Sequence, residues 1–146
     1  MSHGTSATVP MCLSEYAIEF QKKGFNVFLY DHVGFGISQG QVRQTINPWI
    51  QARGIADAVA HIRSEHHLHN KKIILWGDSF AGMLVLAVGA LINDLTGVVS
   101  FTVSCGLSVL NFEDPVSSFE KLKTIFNAGN FDELEDGVRE GPMSVV

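Results

Sequence analysis

The period of the apolar positions changes several times along the chain, and each change marks an element. After Pro10, the residues Leu13, Tyr16, Ala17 and Phe20 recur at helical spacing until Lys22-Lys23-Gly24 supplies two bases and a glycine, the ordinary end of an amphipathic helix. Phe25-Asn26-Val27-Phe28-Leu29-Tyr30 is a short β-prone run between Gly24 and Asp31, which predicts a buried strand. A glycine-punctuated loop follows from Val33 to Gly40. Asn47-Pro48 then reads as an N-cap with proline at the first helical position, and Ile50, Gly54, Ala58 and Ile62 predict the apolar face of a helix reaching Arg63.

Lys71-Lys72-Ile73-Ile74-Leu75-Trp76 predicts a second buried strand, Ala81 to Leu91 a helix, and Val98 to Val103 a third strand. Alternating strands and helices with short connections predict an α/β chain whose mostly parallel sheet carries helices on both faces. Beyond Glu113 the pattern weakens. Phe119, Leu122 and Ile125-Phe126 suggest one more helix, Phe131 to Val138 another, and Ser144-Val145-Val146 the start of a strand.

Composition narrows the class. With 146 residues, 46% of them apolar, the chain is long enough for one domain with a core and too short for two. A charged fraction of 17% with slightly positive mean hydropathy excludes a disordered chain. The net charge is −5, and no basic cluster exceeds Lys22-Lys23 or Lys71-Lys72, so nucleic acid is not an expected partner. The longest apolar run, Met83 to Ile92, is half a membrane span, so no membrane is expected either. Met1-Ser2-His3-Gly4-Thr5 has neither a basic flank nor a hydrophobic stretch, which reads as a cytoplasmic chain. Cys12 and Cys105 form no pattern and are expected to be small buried thiols.

The candidate chemistry lies in Gly77-Asp78-Ser79-Phe80-Ala81, followed by Gly82. A serine hydroxyl becomes a nucleophile when a sharp strand-to-helix turn presents it in the open, beside donors that hold a developing oxyanion. Flanking glycines let such a turn form, and the helix start offers the Phe80 N–H. Alanine at the fifth position is the one departure from G-x-S-x-G. The plainer alternative is that Ser79 only caps the helix. Gly34-x-Gly36 does not make a dinucleotide site, because the third glycine falls at Gly40 where the fingerprint needs position 39, which is Gln39. Asp31 is expected to order that loop through backbone amides. Glu65-His66-His67-Leu68-His69 lacks the spacing of a metal motif and reads as solvated surface, so neither metal nor cofactor is expected.

Three ordered segments carry a family resemblance: His3-Gly4, Asp31-His32-Val33-Gly34-Phe35-Gly36-Ile37-Ser38, and Trp76 to Gly82. Over roughly residues 1–106 the chain resembles the α/β-hydrolase superfamily, in particular enzymes similar to dienelactone hydrolases and the X-Pro dipeptidyl-peptidase catalytic domain. The resemblance implies a partial α/β-hydrolase fold spanning residues 1–146, with its core over 1–106 and a helical or cap-like segment over 107–146. It also implies an oxyanion loop at His3-Gly4-Thr5-Ser6 with Thr5 and Phe80 as the N–H donors, while His3 shapes the loop without acting as base. In this superfamily the acid and the histidine follow the serine. No histidine follows His69, and Asp114 is the weak candidate for the acid.

These readings make the chain the nucleophile half of a serine hydrolase acting on a carboxylic ester, thioester or amide, with a small-molecule acyl substrate. They also lead to the expectation of a chain shortened at both ends, open to self-association or to a complementing segment. An acyltransferase, or a non-catalytic binding remnant of the fold, are the alternatives. Phe35, Trp49, Phe80 and Met83 could line an acyl pocket, although aromatics near such a turn more often belong to the core.

Overall fold

The computed structural model describes residues 1–103, 115–128 and 143–144. A π-helical turn, Val9–Leu13, leads into α1 (Ser14–Lys22), followed by β1 (Thr45–Ile46), α2 (Pro48–Ser64), β2 (Ile74–Asp78), α3 (Phe80–Leu91), β3 (Gly97–Phe101), α4 (Pro115–Ala128) and β4 (Met143–Ser144). β2 and β3 pair in parallel, with Ile74 opposite Gly97 and Asp78 opposite Phe101. β1 and β4 form a separate two-residue antiparallel pair. Glu113, Asp114, Cys105 and the helix expected over Phe131 to Val138 lie outside the described residues, as does the side chain of Cys12.

Side chains alternate across β2 and β3, which divides the sheet into two faces. On one face Ile73 and Leu75 pack with Ala52, Ile55 and Val59 of α2, Leu84, Val85 and Val88 of α3, and Phe126 of α4. Burial of these aliphatic groups is the main stabilising term, at roughly 25 cal/mol per Å² of apolar surface. On the other face Trp76 meets the ring of Tyr16 from α1 at 5.2 Å, so helices lie on both sides. That second face is thinly covered, and Ile74, Val99 and Phe101 are each about half exposed.

Three expectations are corrected. The run Phe25 to Tyr30 is not a buried strand: it belongs to no ladder, and Phe25 and Phe28 are 51% and 38% exposed. β-propensity describes fit to a pleated surface, and a run with no neighbouring ladder has none to fit. Its neighbour here is Met1-Ser2. The Met1 amine donates to Phe28 O at 2.9 Å. On the far side Ser2 N donates to Trp76 O at 2.8 Å, and Ser2 bridges Gly77 in parallel.

The second correction concerns the phase of α2. Its start is as expected, with the Asn47 side chain accepting from Trp49 N and Ile50 N ahead of Pro48. Its buried face, however, is Gln51, Ala52, Ile55 and Val59, while Ile50 is exposed and Gly54, Ala58 and Ile62 are half-buried. Apolar residues occur on more than one stripe of this helix, so packing against α3 selects the face. The second strand also starts later than expected, because Lys71 and Lys72 remain exposed before β2.

Candidate active site

Ser79 stands between the last residue of β2 and the first of α3 with φ 54° and ψ −120°, a conformation that L-residues rarely adopt. Such a residue costs about 1–3 kcal/mol and persists where its surroundings over-determine it. Here the Ser79 N–H donates to Phe101 O, and Ser79 O accepts from Gly82 N, both at 2.9 Å. Gly77 makes the corner possible. A Cβ on it would lie 2.3 Å from Ala81 O and 2.6 Å from Ala81 C, so the first turn of α3 rests directly on β2.

The capping alternative does not fit this geometry. Ser79 occupies the N-cap position of α3, yet its side chain makes no cap hydrogen bond. Among the described residues the hydroxyl has no hydrogen-bond partner, and the residue is half-buried, open to one side. It faces the loop expected to lie opposite. A Cβ built on Gly4 would fall 3.0 Å from Ser79 Cβ and 3.6 Å from Ser79 Oγ, so only glycine lets the loop approach this closely. Thr5 is the next residue and is exposed. Among the described residues, neither the Thr5 N–H nor the Phe80 N–H has a partner.

His3 is brought near this corner but is fully engaged elsewhere. It is 1% exposed; its Nδ1 is 3.1 Å from Gly4 O, and its Nε2 accepts from His32 N at 3.1 Å. Those two bonds require the neutral tautomer protonated at Nδ1, which leaves no free nitrogen to accept a proton from a substrate or from Ser79. His32, equally buried, bonds Ser2 Oγ through Nε2 at 2.7 Å and meets the His3 ring edge-on. Among the described residues, no histidine hydrogen-bonds Ser79. His66, His67 and His69 are exposed, on the loop at the opposite end of β2. A polar cavity of about 360 Å³ also lies at that end, where Arg63 bonds the carbonyls of His69, Lys71 and Asp94 and so stitches a loop junction together. Phe35 is buried, and Trp49, Phe80 and Met83 pack against the core cluster.

The buried histidine pair gives the fold a pH dependence. Burial lowers the His32 pKa to about 3, with His3 and the chain-terminal ammonium adding to the effect and Asp31 opposing it. Burial also lowers that of His3, against the Gly4 carbonyl and Asp31. Unfolded histidines titrate near pH 6.5, so below that pH the unfolded chain binds protons that the folded chain refuses. The contribution of the two histidines is therefore full above pH 6.5 and falls as the pH drops toward 3. The Met1 ammonium, held down to about 6 by burial, acts in the same direction between pH 8 and 6. Unfolding free energies from urea melts at pH 6 to 5 should fall steadily, by at most about 1.4 kcal/mol per pH unit per histidine. A flat profile there would contradict the burial of the pair.

Sequence reasoning passed over His32 and Ser2. The available signal was a polar Asp31-His32 pair directly after an apolar run, at the carboxyl end where parallel sheets place their chemistry.

The profile of the family described as serine aminopeptidase, S33 matches residues 1–127. This chain belongs to that α/β-hydrolase family. The chain is 35% identical over 100 residues to the quorum-quenching protein AidA of Acinetobacter baumannii, covering 68% of itself and 33% of that protein. It is 36% identical over 90 residues to the thiohydrolase aneE of Aspergillus aculeatus, covering 62% of itself and 28% of that enzyme. Among solved structures it resembles the α/β hydrolase GrgF from Penicillium sp. sh18 with a TM-score of 0.64 and 33% identity, over 67% of this chain and 34% of that one. The chain thus spans about a third of the length of the relatives named here. None of the relatives named here is a dienelactone hydrolase or an X-Pro dipeptidyl-peptidase. Among its described residues, no helix is long and apolar enough to cross a membrane.

Proposed function

We propose that Ser79 is the nucleophile of an acyl-transfer reaction on a carboxylic ester or thioester, with the Phe80 and Thr5 amides as oxyanion donors. The observation that carries this reading is the strained serine whose hydroxyl neither caps its helix nor bonds a neighbour while Gly4 packs against it. In the reaction Oγ bonds to the substrate carbonyl carbon, its proton passes to a base, and the alcohol or thiol departs to leave an acyl-serine. The base and its carboxylate are not among the described residues. Removing those partners leaves about 10³–10⁴-fold catalysis over water in a well-studied protease, so slow turnover is expected of the 146-residue chain. A relative named as a thiohydrolase supports the thioester, and one named as the polyketide transferase grgF of Penicillium supports a second reading in which an alcohol or amine rather than water intercepts the acyl-enzyme.

A fluorophosphonate probe tests the reading. Over a long incubation, mass spectrometry should find slow addition of the phosphonyl group to the peptide bearing Ser79, and none to that from Ser79→Ala. Equal hydrolysis of a short p-nitrophenyl ester by wild type and Ser79→Ala, together with no labelling, would remove it in favour of a non-catalytic module.

A further inference from the structure

The span from Gly4 to Thr8 is an arch whose two ends are bolted to one other loop. At its near end His3 Nε2 accepts from His32 N at 3.1 Å. At its far end Val9 N donates to Asp31 Oδ1 at 2.7 Å, a charge-assisted bond between residues 22 positions apart. The second carboxylate oxygen of Asp31 accepts from Ile37 N at 3.1 Å, and the Asp31 carbonyl accepts from Ser38 Oγ. Asp31 is 5% exposed, so one desolvated carboxylate joins the start of the Val9–Leu13 helical turn to the 31–38 loop. Within the arch the described internal bond is Ala7 N to Gly4 O at 3.3 Å, and Ser6 holds a left-handed φ of 52°. A strained non-glycine residue in an exposed arch relaxes unless both ends are held.

We propose that Asp31 is a positioning residue for the oxyanion loop: by fixing Val9 N against Ile37 N it holds Gly4 and Thr5 over Ser79. The consequence for reactivity rests on the Ser79 reading, whereas the consequence for the loop does not. Displacement of a reacting geometry by about 1 Å is enough to lower a rate some 10²-fold, so a bond this far from the hydroxyl still reaches it.

Two variants break the same bond from opposite sides. Asp31→Asn removes the charge and faces one N–H with an amide donor. Val9→Pro removes the N–H itself; proline is tolerated at a first helical position, and Thr8 already has the extended φ −135°, ψ 163° that precedes proline. Hydrogen exchange of the amides over residues 4–8 should speed up at least about tenfold in each variant, and labelling of Ser79 by the fluorophosphonate should slow by a similar factor. The double variant should be no worse than the poorer single one, the non-additivity expected when two substitutions delete one interaction. Unchanged exchange over residues 4–8 in Val9→Pro, with far-UV circular dichroism retained, would overturn the proposal, as would fully additive effects. Faster exchange with a wild-type chain that never labels would instead uphold the clamp and count against Ser79 as nucleophile.

Discussion

Ser79→Gly is expected to abolish fluorophosphonate labelling and at the same time raise the thermal midpoint by about 3 °C. The two effects have one source. At φ 54° and ψ −120° the serine holds a conformation that glycine adopts freely, so the substitution releases about 1–3 kcal/mol of strain. Glycine returns roughly 0.5–1 kcal/mol of that through the greater freedom of the unfolded chain. Because the hydroxyl makes no cap bond, its removal leaves no helix donor unsatisfied. Ser79→Ala is the informative partner: it loses the same labelling but keeps the Cβ and therefore the strain, so its midpoint should stay near that of wild type. A midpoint for Ser79→Gly at or below that of Ser79→Ala would mean that the corner stores no strain.

Gly77→Ala is expected to be strongly destabilising, because the methyl it adds has no room between β2 and α3. The added Cβ would meet the backbone of Ala81 at 2.3 and 2.6 Å and Val85 Cγ2 at 2.9 Å. Backbone cannot swing aside as a side chain can, so α3 must slide or lift from β2 and open the core around Val85 and Val88. A loss of about 3 kcal/mol follows for overpacking of this kind, a large part of the roughly 5–15 kcal/mol that holds a domain folded. Gly54→Ala is the control. It sits inside α2 with no atom within 4 Å of the new Cβ, and should gain about 0.5–1 kcal/mol. Urea denaturation of the two variants should move the midpoint in opposite directions; a shift of the same sign in both would contradict the close approach of α3 to β2.

The corner at Ser79 was legible in the amino-acid order because every determinant is local: a buried run, a glycine, a serine and a long apolar helix within some twenty residues. The Asn47 cap was legible for the same reason. Phe25 to Tyr30 was not, since whether a β-prone run becomes a strand depends on what lies beside it. The phase of α2 was misjudged because several stripes of that helix are apolar and only contact with α3 and β2 chooses among them. Asp31 was read as ordering its own turn, and Ile37 N bears this out. Its longer reach to Val9 could not be seen, because the donor is a backbone N–H that carries no residue identity. The same holds for His3, whose two acceptor and donor contacts are main-chain atoms.

The half-covered sheet face has a practical consequence for anyone following this chain by fluorescence. Ile74, Val99 and Phe101 offer a hydrophobic dye a ready surface while the core beneath Leu75 and Val85 stays closed. Brightening on mixing would therefore register the shape of the native surface, and loosening of the interior has to be read from the near-ultraviolet signals of Trp76 and its ring neighbours.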